Sequence, residues 1–241
     1  GVKRIDAFLD LPERTFSEKG KPAVHGDIVF SDVTFAYGER PILRNFSMTV
    51  REGERVTLVG RTGAGKSTVF RLLLGLYKPQ YGTVTVGGAN AADIADEDRR
   101  GCIACVEQRF SRIPGTVLEQ ITLGDTNITR QAAQNAAKLA GMDDVIRSLP
   151  KGYDTVCTEG MFSQGEWQLL SVARAAAGNP SVLLLDEITA NLDAETEARV
   201  LKALHRASEG RTVLSVSHRL YENSGGRTVE IKTENTDGKR Q

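Results

Sequence analysis

The chain has 241 residues, of which 40% are hydrophobic and 26% are charged, and this composition excludes an intrinsically disordered protein. Its 31 basic residues balance its 31 acidic residues, so we expect no large nucleic-acid-binding surface and no nucleic-acid partner. No apolar run in the sequence approaches the roughly 18 residues that are needed to cross a membrane.

The cysteines do not indicate a disulfide framework or a zinc site. There are three of them, which favours a protein of a reducing compartment. Cys102 and Cys105 form a C-x-x-C pair within residues 101–106, which we predict to be a strand. Residues three apart on a strand point to opposite faces, and Cys157 is the only other cysteine. We therefore interpret all three as small core residues.

The first 25 residues are predicted to form a segment of their own. Residues 4–11 have the spacing of a short amphipathic helix, with Ile5, Phe8 and Leu9 on one face. Residues 12–25 are rich in charge, proline and glycine and are predicted to be a linker. Because the chain begins without Met, we expect it to be a fragment of a longer protein.

A group of short strands follows. Alternating apolar and polar residues at 27–37 predict a half-buried strand, and residues 45–50 predict a second strand close behind it. Two strands so close together are typical of an antiparallel sheet. Residues 54–59 and residues 83–86 predict two further strands, on either side of the most informative motif in the chain.

That motif is GRTGAGKS at residues 60–67, which matches the phosphate-binding pattern G-x-x-x-x-G-K-[ST]. It lies between a predicted strand and residues 68–74, which are predicted to be helical, as the motif requires. The glycines let successive backbone N–H groups point into one concavity, and the helix N-terminus adds the positive end of its dipole. Lys66 is then placed to contact the β- and γ-phosphates, and the Ser67 hydroxyl to hold Mg²⁺.

Residues 114–177 have a helical pattern. Thr129 is a predicted N-cap for a helix through Ala140, and residues 143–149 predict a shorter helix that stops at Pro150. Ser163 and Glu166 have the spacing of a capping box, in which each side chain bonds the backbone N–H of the other residue. We predict that this box begins a helix that ends near Gly178.

The last part of the chain alternates strands and helices. Residues 181–185 and 212–216 predict buried strands, and residues 194–207 predict a helix with Val200, Leu201 and Leu204 on its inner face. Residues 225–231 predict one more strand, and residues 232–241 a disordered tail. This alternation indicates an α/β fold with a mainly parallel sheet and helices on both faces.

Two carboxylates follow the strand at 181–185. Ligands of parallel sheets bind beyond the carboxyl ends of the strands, so Asp186 is placed to bind Mg²⁺ and Glu187 to polarise an attacking water. An acidic helix cap is the structural alternative. The phosphate loop 119 residues earlier favours the functional interpretation.

The order of these motifs, from Tyr37 to His218, resembles the nucleotide-binding domain of ATP-binding cassette (ABC) transporters. The resemblance implies a P-loop NTPase (RecA-like) core with an N-terminal antiparallel β subdomain and an inserted helical subdomain at about residues 110–177. It also implies that residues 26–241 are the ATP-binding domain and that residues 1–25 are a linker from a membrane domain.

The resemblance assigns roles residue by residue. It implies that Tyr37 stacks on adenine, that Gln108 touches Mg²⁺, and that His218 contacts the γ-phosphate and the catalytic carboxylate. The implied catalytic residues are Glu187, His218 and Lys66, and the implied Mg²⁺ ligands are Ser67, Gln108 and Asp186. The implied ATP-binding residues are Tyr37, Gly60, Arg61, Thr62, Gly63, Ala64, Gly65, Lys66, Ser67, Thr68, Gln108, Ser163, Gln164, Gly165 and Asp193.

Residues 162–166, FSQGE, stand where the family carries its signature, Leu-Ser-Gly-Gly-Gln. In the family this segment closes on the γ-phosphate held by the partner of a head-to-tail dimer, and residues 190–193 resemble the loop that crosses the dimer interface. Phe162, Gln164 and Glu166 depart from the signature. Gln164 restricts the backbone and Glu166 brings negative charge near a polyphosphate, so we expect a weaker closed dimer or slower turnover.

Residues 158–160, TEG, together with the N-terminal helix and linker, resemble exporter-type domains of half-transporters. The implied partners are a second nucleotide-binding domain, identical or different, and the transmembrane domains. The implied location is the cytoplasmic face of the cell membrane. Exporter-type domains also serve some importers, so the direction of transport and the transported substrate stay open.

The implied activity is ATP hydrolysis that powers transport. One alternative is an ATP-binding clamp with weak hydrolysis, which the atypical signature favours. A second is a cassette acting on ribosomes or DNA, which usually has two cassettes or coiled-coil insertions that this chain lacks. A small-molecule kinase would leave the signature and His218 unexplained.

Overall fold

The structure, a computed structural model, describes residues 25–107, 110–186, 192–216 and 226–231. Four strands form an antiparallel sheet: β1 (Ile28–Tyr37), β2 (Arg40–Val50), β4 (Tyr81–Val86) and β5 (Ala89–Asn90). Their order is β2-β1-β4-β5. The antiparallel sheet expected from the first two strands is present, and β2 is longer than the predicted 45–50.

A second sheet contains β3 (Arg55–Val59), β6 (Ile103–Val106), β7 (Val182–Asp186), β8 (Thr212–Val216) and β9 (Arg227–Glu230), in the order β6-β7-β8-β3-β9. Every pairing of these described strands is parallel. The carboxyl ends of β3, β7 and β8 therefore meet at one edge of the sheet, which is where such folds bind ligands.

Seven α-helices occur in the described residues: α1 (Lys66–Leu73), α2 (Asp96–Cys102), α3 (Val117–Thr122), α4 (Arg130–Ala140), α5 (Asp143–Arg147), α6 (Gln164–Ala177) and α7 (Ala194–Ala207). Thr129 caps α4 by accepting a hydrogen bond from the Ala132 N–H at 3.1 Å, as predicted. None of these helices is long and apolar enough to cross a membrane.

The parallel sheet separates two hydrophobic cores. On β7, Val182 and Leu184 pack with α1 and the antiparallel sheet, whereas Leu183 and Leu185 pack with α4, α6 and α7. This alternation follows from the period of two along a strand. The predicted arrangement, with helices on both faces of the sheet, is therefore confirmed.

The structure corrects the sequence predictions at three places. Cys102 ends α2 and only Ile103 begins a strand, so residues 101–106 are a helix end followed by a strand. Helix α5 ends at Arg147 rather than at residue 149. On α7 the buried residues are Val200, Ala203, Leu204 and Ala207, while the predicted inner-face residue Leu201 is only partly buried.

Several predictions fall outside the described residues. These are the N-terminal helix and most of the linker, residues 108, 187, 190, 191 and 218, and the C-terminal tail.

Candidate nucleotide-binding site

The carboxyl edge of the parallel sheet and the tip of the antiparallel sheet enclose a cavity of about 400 Å³. Residues from three distant parts of the sequence line it: Tyr37, Arg40, Ile42, Thr62, Gly63, Gly65, Lys66, Ser67, Thr68, Asp186 and Val216. The fold thus brings together an aromatic ring, the phosphate-loop motif and the carboxylate that ends β7.

The phosphate loop requires glycine for two reasons. Gly60, Gly63 and Gly65 have positive φ angles of 150°, 81° and 104°, which other residues rarely adopt. A Cβ at residue 60 would also lie 2.6 Å from the carbonyl oxygen of Ile231. Gly65 is the N-cap of α1, so the loop leads its backbone directly into the positive end of that helix.

Lys66 lies over the loop rather than pointing into solvent. Its ammonium donates hydrogen bonds to the carbonyl oxygens of Gly60 at 2.7 Å and Arg61 at 3.1 Å. Gly60, Arg61 and Ala64 shape the loop but do not themselves line the cavity. The cavity therefore has a cationic group and a helix N-terminus on the same side, a combination that attracts phosphate.

The Ser67 hydroxyl and the Asp186 carboxylate line the cavity and are suitable ligands for Mg²⁺, which needs few ligands from the protein itself. Asp186 is half-buried and Ser67 is exposed, and both line the cavity. In the described part of the chain, no cluster of three or more His, Cys, Asp or Glu residues has metal-binding geometry. Mg²⁺ commonly takes one carboxylate together with hydroxyl, water and substrate phosphate oxygens, so these two residues fit it.

Tyr37 ends β1 and lines the same cavity. Its ring makes edge-to-face contacts with Phe35 and Tyr77, with ring centroids 4.9 and 5.3 Å away. Arg71 of α1 donates a hydrogen bond to its hydroxyl at 3.0 Å. The ring is half-buried and lines the cavity, as a base-stacking residue must.

Residues 162–165, at the start of α6, lie outside this cavity. Ser163 is the N-cap: its hydroxyl accepts from the Glu166 N–H at 3.3 Å, and the Glu166 carboxylate accepts from the Ser163 N–H at 2.8 Å. The predicted capping box is therefore confirmed. Phe162 is buried and packs edge-to-face on Trp167, which matches the hydrophobic staple of helix starts.

Two of the three departures from the family signature thus support the start of α6. The third, Gln164, is the first helical residue and its side chain is exposed, so the backbone there does not need glycine. At Gly165 a Cβ atom would overlap Thr196 Cγ2 of α7, so any larger residue there would require the Thr196 side chain to move. Asp193 caps α7 by accepting from the Thr196 N–H at 3.0 Å, and hydrogen bonding to Thr196 lowers the pKa of Asp193.

Helix α6 also holds the segment around residues 107–113. Gln168 donates to the carbonyl oxygen of Glu107 at 3.0 Å, and Arg174 donates to those of Ser111 at 2.9 Å and Gln120 at 2.6 Å. The guanidinium of Arg174 lies 3.9 Å from the ring centroid of Phe110. Both sides of residue 108 are therefore tied to the helix that carries the signature-like segment.

The family model for ABC transporters matches residues 43–190, which is more than half of the chain. The chain belongs to the ABC transporter family. The family and the predicted P-loop NTPase fold class are therefore confirmed, and the chain corresponds to the ATP-binding domain of exporter-type members.

The probable multidrug resistance ABC transporter ATP-binding/permease protein YheH of Bacillus subtilis (strain 168) is 38% identical over 219 residues, which cover 88% of this chain and 32% of that protein. The multidrug resistance protein pgp-1 of Caenorhabditis elegans is 41% identical over 202 residues, covering 82% of this chain and 15% of that protein. The chain therefore spans a third or less of the length of these relatives.

Among solved structures, a bacterial Atm1-family ABC exporter with ATP bound matches with a TM-score of 0.77 and 32% identity. The match covers 96% of this chain and 41% of that chain. Both the fold and the family are thus shared with an exporter.

The structure brings together Tyr37, Asp186 and much of the phosphate loop, as the sequence led us to expect. Ser163, Gln164, Gly165 and Asp193 lie elsewhere, and Gln108, Glu187 and His218 are outside the described residues. Sequence reasoning missed Arg40, Ile42 and Val216. Pairing of β1 with β2 places Arg40 opposite Tyr37, so a predicted hairpin register would have pointed to it.

Proposed function

We propose that this domain binds ATP with Mg²⁺, hydrolyses it, and uses the reaction to drive transport by a membrane protein. The observation that carries the proposal is the cavity that joins Tyr37, the phosphate loop and Asp186. Its lining offers an aromatic ring for a base together with the donors and the carboxylate that a magnesium triphosphate needs.

The proposed chemistry assigns each described group one task. Tyr37 stacks on the adenine, while Lys66 and the backbone of residues 60–67 neutralise the phosphates and fix them in place. Ser67 and Asp186 hold Mg²⁺, which when bound supplies further positive charge next to the phosphates. Catalysis of phosphoryl transfer rests mainly on this positioning and charge stabilisation.

Three further residues are included in the proposal because they match motif positions of ABC nucleotide-binding domains. Glu187 follows Asp186 directly and is the proposed group that orients or deprotonates the attacking water. His218 is the proposed contact of the γ-phosphate, two residues after Val216, which lines the cavity. Gln108 is the proposed additional Mg²⁺ ligand.

We propose that the second half of the site comes from a partner domain in a head-to-tail dimer. Ser163 and Gln164 are exposed at the start of the 14-residue helix α6, and the Ser163 hydroxyl keeps its proton for donation to a phosphate oxygen. The relatives include ATP-binding/permease proteins, which supports fused transmembrane domains as the other partners and the cytoplasmic face of a membrane as the location.

The test is phosphate release at saturating MgATP by the longer transporter that we propose carries this domain. We expect Glu187→Gln to lower the rate roughly 100-fold or more, since that is the usual worth of a general base. The matched control is Glu209→Gln, which alters an exposed carboxylate and should leave the rate unchanged. A parent with no turnover above Glu187→Gln would favour the clamp, and absence of ATP binding would overturn the site itself.

The atypical signature gives a second prediction. Glu166→Gln should raise the ATPase rate or the apparent ATP affinity about fivefold, because it removes a charge that repels the partner's phosphates by ~1 kcal/mol. Glutamine still has the oxygen that accepts from the Ser163 N–H, so the capping box is kept.

The control for this variant is Glu119→Gln, which makes the same change in the capping box at the start of α3. Rate and affinity are measured on both variants in the same protein. If neither quantity rises for Glu166→Gln, the signature charge does not limit this domain.

A further inference from the structure

The ring of Tyr37 is held from several sides. Phe35 and Tyr77 meet it at interplanar angles of 89° and 84°, so both are perpendicular to it. The residue before Tyr37 is held by the side chain of Gln80. This amide accepts a hydrogen bond from the Ala36 N–H at 2.9 Å and donates one to the Ala36 carbonyl oxygen at 3.0 Å. Both the ring and the strand end that carries it are thus fixed.

Tyr37 is also contacted by Arg71, which lies on α1, the helix that follows the phosphate loop. Arg71 lies five residues after Lys66 on α1, about 7.5 Å along the helix axis. Its Nη1 donates to the Tyr37 hydroxyl at 3.0 Å, and the guanidinium carbon is 5.8 Å from the ring centroid. The hydrogen bond to Tyr37 raises the pKa of Arg71, and nearby Asp186 adds to the effect.

We propose that Arg71 is a positioning residue for the nucleotide base, which acts by fixing the Tyr37 ring in its stacking orientation. Gln80 supports the same ring through the backbone of β1. The inference rests on the proposed ATP site and deepens it, since it joins the helix that holds the phosphates to the ring that holds the base.

The physical reason is preorganisation. A ring that is already fixed does not lose rotamer freedom when a base stacks on it, whereas a free ring does. Arg71 is exposed, so replacing it leaves no cavity in a core, and its effect on the ring can be measured in a folded protein. A positive charge near the triphosphate is the competing explanation for any effect of Arg71 on binding.

The experiment measures dissociation constants for MgATP and for magnesium tripolyphosphate, which has no base, by titration calorimetry on this chain. We expect Arg71→Met to weaken ATP binding roughly two- to tenfold, the cost of immobilising one side chain, and to leave tripolyphosphate binding unchanged. Arg71→Gln keeps a donor without the charge and should restore part of the loss. Arg44→Met, an exposed change on β2, is the control.

A double-mutant cycle tests whether Arg71 acts on ATP binding through its hydrogen bond to the Tyr37 hydroxyl. Tyr37→Phe alone should weaken ATP binding about as much as Arg71→Met, and adding Arg71→Met to Tyr37→Phe should weaken it no further. Equal losses for ATP and tripolyphosphate would show a charge effect and overturn the proposal, as would additive losses in the cycle. If the unaltered chain binds neither ligand, the proposed ATP site fails instead.

Discussion

Replacing Lys66 with alanine is expected to lower ATP hydrolysis at least ~100-fold, because it removes a preorganised cation from the developing charge on the phosphates. In the structure the ammonium is held over the phosphate loop by the carbonyl oxygens of Gly60 and Arg61. It is therefore already beside the place where the phosphates are proposed to lie.

The fold should survive this change. The helix that Lys66 begins is buried through Val69, Leu72 and Leu73, and alanine is a good helix former. The loss of two hydrogen bonds from a partly exposed ammonium should therefore cost only about 1–2 kcal/mol. Phosphate release and ATP affinity are measured together with the melting temperature.

Lys78→Ala is the matched control for this experiment. Its side chain is 72% exposed and forms a surface ion pair with Asp93 at 3.2 Å, so activity should stay at the level of the parent. A Lys66→Ala protein that keeps more than a tenth of the parental rate would contradict the assigned role.

Arg174→Ala is expected to lower the free energy of unfolding by about 3 kcal/mol, because hydrogen bonds from a charged donor contribute ~1.5–3 kcal/mol each. The guanidinium bonds the carbonyl oxygens of Ser111 and Gln120 and covers the face of Phe110. Its removal would leave two carbonyls without this donor and a hole beside an aromatic ring.

Two features of Arg174 reduce the stability that this side chain contributes. One terminal nitrogen of Arg174, Nη2, is buried without a hydrogen-bond partner in the described residues. Burial and the neighbouring Arg100 together lower the pKa of Arg174 to about 10. Arg174→Met removes the charge but keeps most of the volume, so its loss should be smaller than that of Arg174→Ala.

Chemical denaturation of the two variants and of Arg199→Ala, an exposed position on α7, measures these effects. The exposed control should stay within about 0.5 kcal/mol of the parent. Stability of Arg174→Met equal to that of the parent would mean that the cost of burying the charge cancels its hydrogen bonds.

The parts that sequence predicts well are those whose determinants lie close together in the chain. The phosphate loop, the capping box of Ser163 and Glu166, and the Thr129 cap each occupy a few consecutive residues, and the structure has all three. The helix-to-strand boundary at Cys102 was predicted wrongly because the short run 101–106 fits either state on composition alone.

The contacts that complete the site join residues far apart in the sequence. Arg71 meets Tyr37 across 34 positions, and Arg174 meets Ser111 across 63. Nothing in the local pattern of either arginine distinguishes it from a solvated surface residue, since each contact depends on how two elements pack. Gly165 is similar, because the space at this position is limited by Thr196, 31 positions later, and not by its own backbone angles.

That contact between Gly165 and Thr196 has a mechanical consequence. Asp193 is fixed to the start of α7 through Thr196, and Thr196 is in direct contact with the start of α6, with no room for even one methyl group between them. This contact therefore sets how closely the start of α6 can approach the start of α7. A partner surface that contacts both Ser163 and Asp193 would meet two helix starts whose closest separation is limited by this contact.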